Sequence, residues 1–251
     1  MKYLKKFENH AAYTAAESGL ILPNVSLCVS ENEVHYKPDL YNGHEYVDLE
    51  LPNGTKWATM NVGASSETDY GLYFQWGDAQ GYTYDQVGID EGKKYFDWAD
   101  YKYSNNGGSG ATDMTKYQGT GEEKDGLVTL EASDDAVAVA WGDSWRMPTE
   151  AEITELLNNT NKQWTTNYNN TGINGCLFTS TKNSNTLFFP AAGSCARGSV
   201  GVASYFGGYW SSSLDTSKVT DGKFLSLMSG NYSMGSNYRR NGHPVRGVVA
   251  Q

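Results

Sequence analysis

The sequence predicts an α+β domain in which strands outnumber helices, and three observations carry that prediction. Only two stretches of the main part combine a helical pattern with a start signal. Short runs of alternating apolar residues recur along the chain, separated by Gly, Asn and Ser turns. The last quarter, residues 186–249, alternates apolar Trp- and Arg-containing blocks with segments of small, aromatic and hydroxyl residues that hold almost no strong helix formers. The expected architecture is two short helices, many short strands and long loops, preceded by a small helix and hairpin element.

Composition bounds the possibilities. A chain of 251 residues can hold one domain of about 200 residues plus an appendage. With 39% hydrophobic and 13% aromatic residues, 28 Gly and 6 Pro, it is globular and loop-rich rather than disordered. A formal charge of -10 argues against nucleic acid as a partner, because phosphate-backbone binding needs clustered Lys and Arg. No apolar run approaches the roughly 20 residues that cross a bilayer, so no transmembrane segment or membrane insertion is expected. The start, MKYLKKFENHAAY, has the cations of a signal peptide without an apolar stretch behind them, so no secretion signal is expected. Cys28, Cys176 and Cys195 are odd in number and lack metal-ligand spacing. Cys28 and Cys176 read as buried thiols, whereas Cys195 sits in loop-like text and is a candidate for exposure.

Taken in order, residues 1–42 differ in pattern from the rest of the chain. His10 to Ser18 is Ala-rich, with Gly19 as a stop, and predicts a short helix. Val25, Leu27 and Val29 then alternate with Ser26 and Ser30, and after a Ser-Glu-Asn-Glu turn Val34 and Tyr36 return. A unit of about 40 residues cannot hold itself together, so this hairpin either extends the main domain's edge or serves as a docking or oligomerisation element. In the main domain, 43–251, Val47, Leu49 and Leu51 alternate before a Pro52-Asn53-Gly54 turn. GLYFQWGDA (71–79) predicts an aromatic strand, and residues 80–130 a long irregular insertion. Asp134 to Trp141 predicts a short helix with both aspartates at its positive end. Thr149 and Glu152 form a capping box ahead of the apolar stripe Ile153, Leu156 and Leu157, ending at Asn158-Asn159. CLFTST and TLFFPA are further strands, and Leu225, Leu227 and Met234 suit the inside of a hairpin.

Seven blocks then stand in order across residues 57–249: WATMNVG, GLYFQWGDA, WGDSWRMPTEAEITELL, GINGCLFTS, LFFPAAG, GYWSSSL and NGHPVRGV. Together they resemble the Fibrobacter-type major paralogous domain, a C-type-lectin-like fold. They look most similar to the version used as variable proteins by diversity-generating retroelements of gut bacteria and their phages. Residues 1–42 lie outside it, although short modules of this kind resemble the front ends of Bacteroides-phage particle proteins. The resemblance implies a C-type-lectin-like domain with a variable region at 186–249. It implies receptor binding without catalysis: a virion protein, at the tail or capsid surface, that grips a protein or glycan on a bacterial surface. Residues 1–42 would then dock to the particle or join sister subunits in a homo-oligomer, a trimer among the possibilities. In that family, adenine-directed variation of asparagine codons never yields Lys, Glu, Gln, Met or Trp. Ser194 to Tyr209 contains none of the five, and Asn231 to Arg240 only Met234, which is assigned to the frame.

Carried over by motif, Trp145, Arg146, Trp210 and Arg246 are frame. The candidate contact residues are Cys195, Ala196, Arg197, Ser204, Tyr205, Phe206, Tyr209, Tyr232, Ser233, Ser236, Tyr238 and Arg239. Tyr and Arg there are the usual hot-spot types, offering large contact area and a polar tip, while Arg240 reads as either contact or frame. Lectins of this fold often hold calcium through triplets such as EPN or WND. WGDS (141–144) is only a distant echo, with Asp143 as a turn residue, and the chain offers no spaced set of oxygen ligands, so no metal or cofactor is expected. RMPTEAE also resembles the formylglycine-generating enzymes, whose oxidase chemistry needs paired cysteines on copper. Cys176 and Cys195 lack the surrounding pattern, which leaves an oxidase as the weaker alternative to a fixed carbohydrate-binding or structural module. His10, His35, His44 and His243 are scattered, and no base–nucleophile set is readable.

Overall fold

The computed structural model describes the backbone of residues 25–30 and 33–250 and side chains from residue 39 onward. The helix expected at His10 to Ser18 and the side chain of Cys28 lie outside the described residues. Strands β1 (Val25–Ser30) and β2 (Glu33–Pro38) form the expected antiparallel hairpin, with Leu27 opposite Tyr36 and Val29 opposite Val34. Among the described residues these two strands form a two-stranded sheet.

Next come β3 (Leu40–Tyr41), β4 (His44–Asp48) and β5 (Lys56–Asn61). After a long irregular stretch come helix α1 (Ala136–Trp141), β6 (Trp145–Arg146) and helix α2 (Glu150–Asn159). The remainder is β7 (Thr160–Thr165), β8 (Gly175–Ser180), β9 (Thr186–Pro190), β10 (Ser194–Ala196), β11 (Ser199–Gly201), β12 (Phe206–Leu214), β13 (Asp221–Met228), β14 (Asn231–Tyr238) and β15 (Arg246–Val249). The described residues are thus mainly β, with two α-helices, as the α+β expectation required. The central sheet runs β3-β4-β5-β15-β6, so the last strand lies between strands from the front and middle of the chain. Two three-stranded sheets, β7-β8-β9 and β12-β13-β14, and the small β10-β11 hairpin complete the domain. No helix among the described residues is long and apolar enough to cross a membrane.

Local signals explain much of this. Val47, Leu49 and Leu51 are buried in alternation, and Val47 pairs with Trp57 across the turn. That turn closes through Gly54 N–H donating to the Leu51 carbonyl at 2.8 Å, with Gly54 at φ +76. The α2 capping box forms as predicted. Thr149 Oγ1 accepts from Glu152 N–H, and Glu152 accepts from Thr149 N–H while also gripping Arg146 through both carboxylate oxygens. At α1 only one aspartate caps. Asp135 accepts from the N–H groups of Val137, Ala138 and Met147, whereas Asp134 turns away to Lys102, Lys116 and Tyr117. Burial would raise the Asp134 carboxyl, but hydrogen bonds from Lys102, Lys116, Tyr103 and Tyr117 outweigh it and hold the group well below the usual range.

One expectation needs correcting. GLYFQWGDA is not a regular strand, since it pairs only through isolated bridges, Tyr73 with Tyr82 and Phe74 with His243. Residues 80–130 are irregular as expected, built of single helical turns and bridges, and they contribute to the core. Phe96, Trp98, Tyr101, Tyr103, Met114, Tyr117 and Leu130 are buried, and most join Trp76, Trp145 and Trp210 in one core. The segment shows no period because its buried rings come at irregular spacing from turns and bridges rather than from one face of a regular element.

Arg246 links three elements at the centre. Its guanidinium is fully buried and donates to Asn61 Oδ1, to the carbonyls of Ala58 and Thr59, and to that of Phe188. It also lies 4.6 Å from the Phe189 ring centroid. Replacing it strands those acceptors in a dry core, so Arg246→Ala is expected to cost about 3–5 kcal/mol, read as a lowered urea midpoint at unchanged slope.

Candidate functional site

The candidate face is assembled from an edge strand, a small hairpin and the loop joining them to the frame. β14 is the outer strand of the β12-β13-β14 sheet. Tyr232 and Met234, two apart on one side of the strand, pack against the core beside Leu225 and Leu227, while Asn231, Ser236 and Tyr238 are exposed. In the β10-β11 hairpin, Cys195 exchanges both backbone hydrogen bonds with Gly242, which pins the hairpin to the segment after β14. The hairpin tip rests on the irregular stretch, because Arg197 N–H donates to the Phe96 carbonyl and Gly198 N–H to that of Tyr95. Next, residues 202–205 bulge outward, with Val202 60% and Tyr205 77% exposed.

This bulge is conformationally unusual. Arg197, Val202 and Ser204 have φ of +49, +52 and +71, and a β-branched residue such as Val202 seldom enters that region. The bulge is held by Ser204 N–H on the Ala191 carbonyl and by Tyr205 and Phe206 N–H on that of Val202. Strain of this sort persists only where surrounding bonds over-determine the backbone, and it concentrates in functional loops.

Behind the face lies a buried aromatic and amide network. His243 stacks on Phe224 at 5.1 Å and meets Trp210 edge-on at 4.5 Å. Its Nε2 accepts from Asn237 Nδ2 at 3.0 Å, and Asn237 Oδ1 accepts from Asn241 Nδ2 at 2.8 Å. Nδ1 lies against the Gly208 backbone and makes no hydrogen bond of good geometry. Full burial lowers the His243 pKa to about 3, so the ring is neutral.

The structure separates the candidates. Arg197, Tyr205, Ser236 and Tyr238 are exposed, and Ala196, Ser204, Phe206, Tyr232 and Ser233 are half-buried. Three assignments are corrected. Cys195 is fully buried and packs with Tyr73, Phe96 and Ala192, and desolvation pushes its thiol pKa far up, so it is neither exposed nor reactive. Tyr209 is 2% exposed, sets its ring edge-on to Phe189, and donates its hydroxyl to the Pro190 carbonyl at 2.6 Å. Arg239 is 0% exposed. It donates to the Tyr101 hydroxyl and to the carbonyls of Tyr117, Val219 and Lys116, with Trp76 beneath it. Arg240 is likewise buried frame, and Trp145, Trp210 and Arg246 are buried as assigned, with Arg146 half-buried on Glu152.

Asp97, Trp98 and the exposed Tyr95 join the face although their sequence context marked only an insertion. The aromatic density of KKYFDWADYKY was the available signal. Two shallow cavities lie elsewhere. One of ≈ 290 Å³ is lined by His44, Glu45, Met60 and Trp141, the other of ≈ 410 Å³ by Leu130, Asp135, Trp145 and Arg146. Among the described residues no group of three or more His, Cys, Asp or Glu could hold a metal ion. No family model, curated protein or solved structure matches the chain.

Two outcomes are expected. Tyr209→Ala should cost about 3–5 kcal/mol, whereas Tyr205→Ala should change stability by less than about 0.5, as thermal melts of the two variants would show. Between pH 6.5 and about 4.5 the unfolded chain binds a proton at His243 that the folded chain refuses. Stability present above pH 6.5 is therefore lost on acidification, by about 1.4 kcal/mol per pH unit. Below about pH 4 the depressed carboxylates Asp134, Asp215 and Glu152 add their own loss. Urea midpoints of His243→Asn should fall less steeply than the parent's from pH 6.5 down to about 3, while the loss from the carboxylates remains.

Proposed function

We propose that this chain is a ligand-binding module of C-type-lectin-like architecture without catalytic activity, resembling the Fibrobacter-type major paralogous domain. It grips a protein or glycan on a bacterial surface through Ala196, Arg197, Ser204, Tyr205, Phe206, Tyr232, Ser233, Ser236 and Tyr238. The observation that carries this reading is the division of burial within one stretch. Rigid Trp, Arg and Tyr groups of the frame are dry and hydrogen-bonded, while Tyr, Ser and Arg side chains beside them stay in contact with water. Val202 and Tyr205 on the bulge, and Tyr238 at the far end of β14, are exposed apolar and aromatic side chains of the kind that partners cover.

The same resemblance supports a retroelement-diversified protein of a phage particle, with residues 1–42 joining it to the virion or to sister subunits. Several weak sites on one particle would act together through avidity. Deep sequencing of codons 186–249 in a natural population tests this. Variation confined to the exposed and half-buried positions, with Cys195, Tyr209, Trp210, Arg239 and Arg246 constant, is the expected result. Uniform low variation would remove diversification and leave a fixed binding or structural module.

A further inference from the structure

The strongest unassigned feature is the charge arrangement where the hairpin tip meets β14. Arg197 Nε stands 3.9 Å from Asp97 Oδ2, and Arg240 Nε stands 3.5 Å from Asp97 Oδ1. Two guanidinium groups thus share one carboxylate, and neither comes within ordinary hydrogen-bond distance of it. Asp97 Oδ1 is already engaged, accepting from Trp98 N–H at 2.8 Å. Arg240 is 7% exposed, donates once from Nη1 to the Phe96 carbonyl at 3.2 Å, and its buried Nε has no hydrogen-bond partner. Arg197, by contrast, has a side chain 68% exposed.

The surrounding charges are matched. Lys94 pairs with Asp100 at 3.1 Å, and Lys218 with Asp221 at 2.8 Å. Asp97 is the sole carboxylate within ion-pair distance of either arginine among the described residues. The cluster therefore keeps one unmatched positive charge on a chain whose formal charge is -10. At physiological salt the distant acidic residues are screened within about 8 Å, so the local cations decide what is attracted.

Rings flank this charge. Tyr238 is 41% exposed, meets Trp98 edge-on at 5.9 Å and lies 5.4 Å from the Arg240 guanidinium. Tyr95, 41% exposed, holds the hairpin tip through its carbonyl on the Arg197 side. We infer that this is a subsite for an acidic sugar, with a single carboxylate on Arg197 and Arg240 and the apolar face of the pyranose ring against an exposed tyrosine. One unmatched charge suits one carboxylate. An acidic peptide or a polyanion would need a run of unpaired cations, and the third cation here, Lys218 at 4.5 Å over the Tyr238 ring, is paired with Asp221. The inference rests on the binding-face reading above and names the ligand chemistry of that face.

The test is an NMR titration of the full chain with methyl β-D-glucuronide and with N-acetylneuraminic acid, using methyl β-D-glucoside and a tetra-aspartate peptide as controls. At least one acid should shift Arg197 and Tyr238, and the neutral glucoside should not. Arg197→Ala should weaken binding about 10-fold or more with an unchanged melt, because Arg197 is exposed. Asp97→Asn keeps the acceptor for Trp98 N–H and removes the competing charge, so it should tighten binding several-fold. A purely structural Asp97 would not produce that gain. Equal response to the glucoside, indifference to Arg197→Ala, no response to either acid, or equal binding of the peptide would each overturn the subsite. Failures are separable by where shifts fall. Sugar shifts on Ser236 and Tyr205 that bypass Arg197 retire the subsite alone, whereas shifts around His44 and Trp141 argue against the face itself.

Discussion

The buried guanidinium of Arg246 is the constraint on which the frame depends. A cation removed from water must be solvated by something, and here no carboxylate is hydrogen-bonded to it. Three backbone carbonyls, one amide oxygen and the ring of Phe189 do that work instead. Those carbonyls belong to β5 and β9, and the arginine opens β15, so the ion is correctly solvated only when all three strands are in place. Desolvation lowers its pKa to about 10, still high enough to keep it charged at neutral pH.

The rest of the interior repeats this solution. A domain poor in long regular elements leaves many carbonyls without ladder partners, and each needs a donor. Large side chains with a single polar tip supply them. Trp210 donates to the Phe74 carbonyl, Trp76 to that of Ser211, and Tyr101 to that of Trp76. Arg239 satisfies three more carbonyls at once. Aromatic bulk and hydrogen-bond donation arrive together, so carbonyls of irregular chain can be buried with a donor beside them. The aromatic content of residues 80–130 therefore marks core rather than decoration.

What could be read from the sequence was whatever is decided locally. The Thr149–Glu152 capping box, the Pro52-Asn53-Gly54 turn and the Val25–Pro38 hairpin each depend on residues within one turn or one strand pair. Burial in the last quarter does not. Tyr209 and Tyr205 sit in the same Ser- and Gly-rich text, and partners remote in sequence, among them the Pro190 carbonyl, the Phe189 ring and Asn61, draw the first one inward. Arg239 looks like a contact residue until Lys116, Tyr117 and Val219 surround it from far along the chain. Residues 71–79 have strand composition, but their hydrogen bonds go to scattered single partners.

The bulge after the β10-β11 hairpin has a consequence for the thermodynamics of association. Its trace is fixed by Ser204 N–H on the Ala191 carbonyl and by Tyr205 and Phe206 N–H on that of Val202, and the hairpin before it is tied down by Arg197 and Gly198 N–H on the Phe96 and Tyr95 carbonyls. Those bonds involve backbone alone, so replacing the outward side chains leaves the path of the loop intact. Ordering is completed during folding, and little configurational freedom remains to be surrendered on contact. For such a surface, encounter rates stay nearly constant among side-chain variants, and differences in affinity appear as differences in residence time.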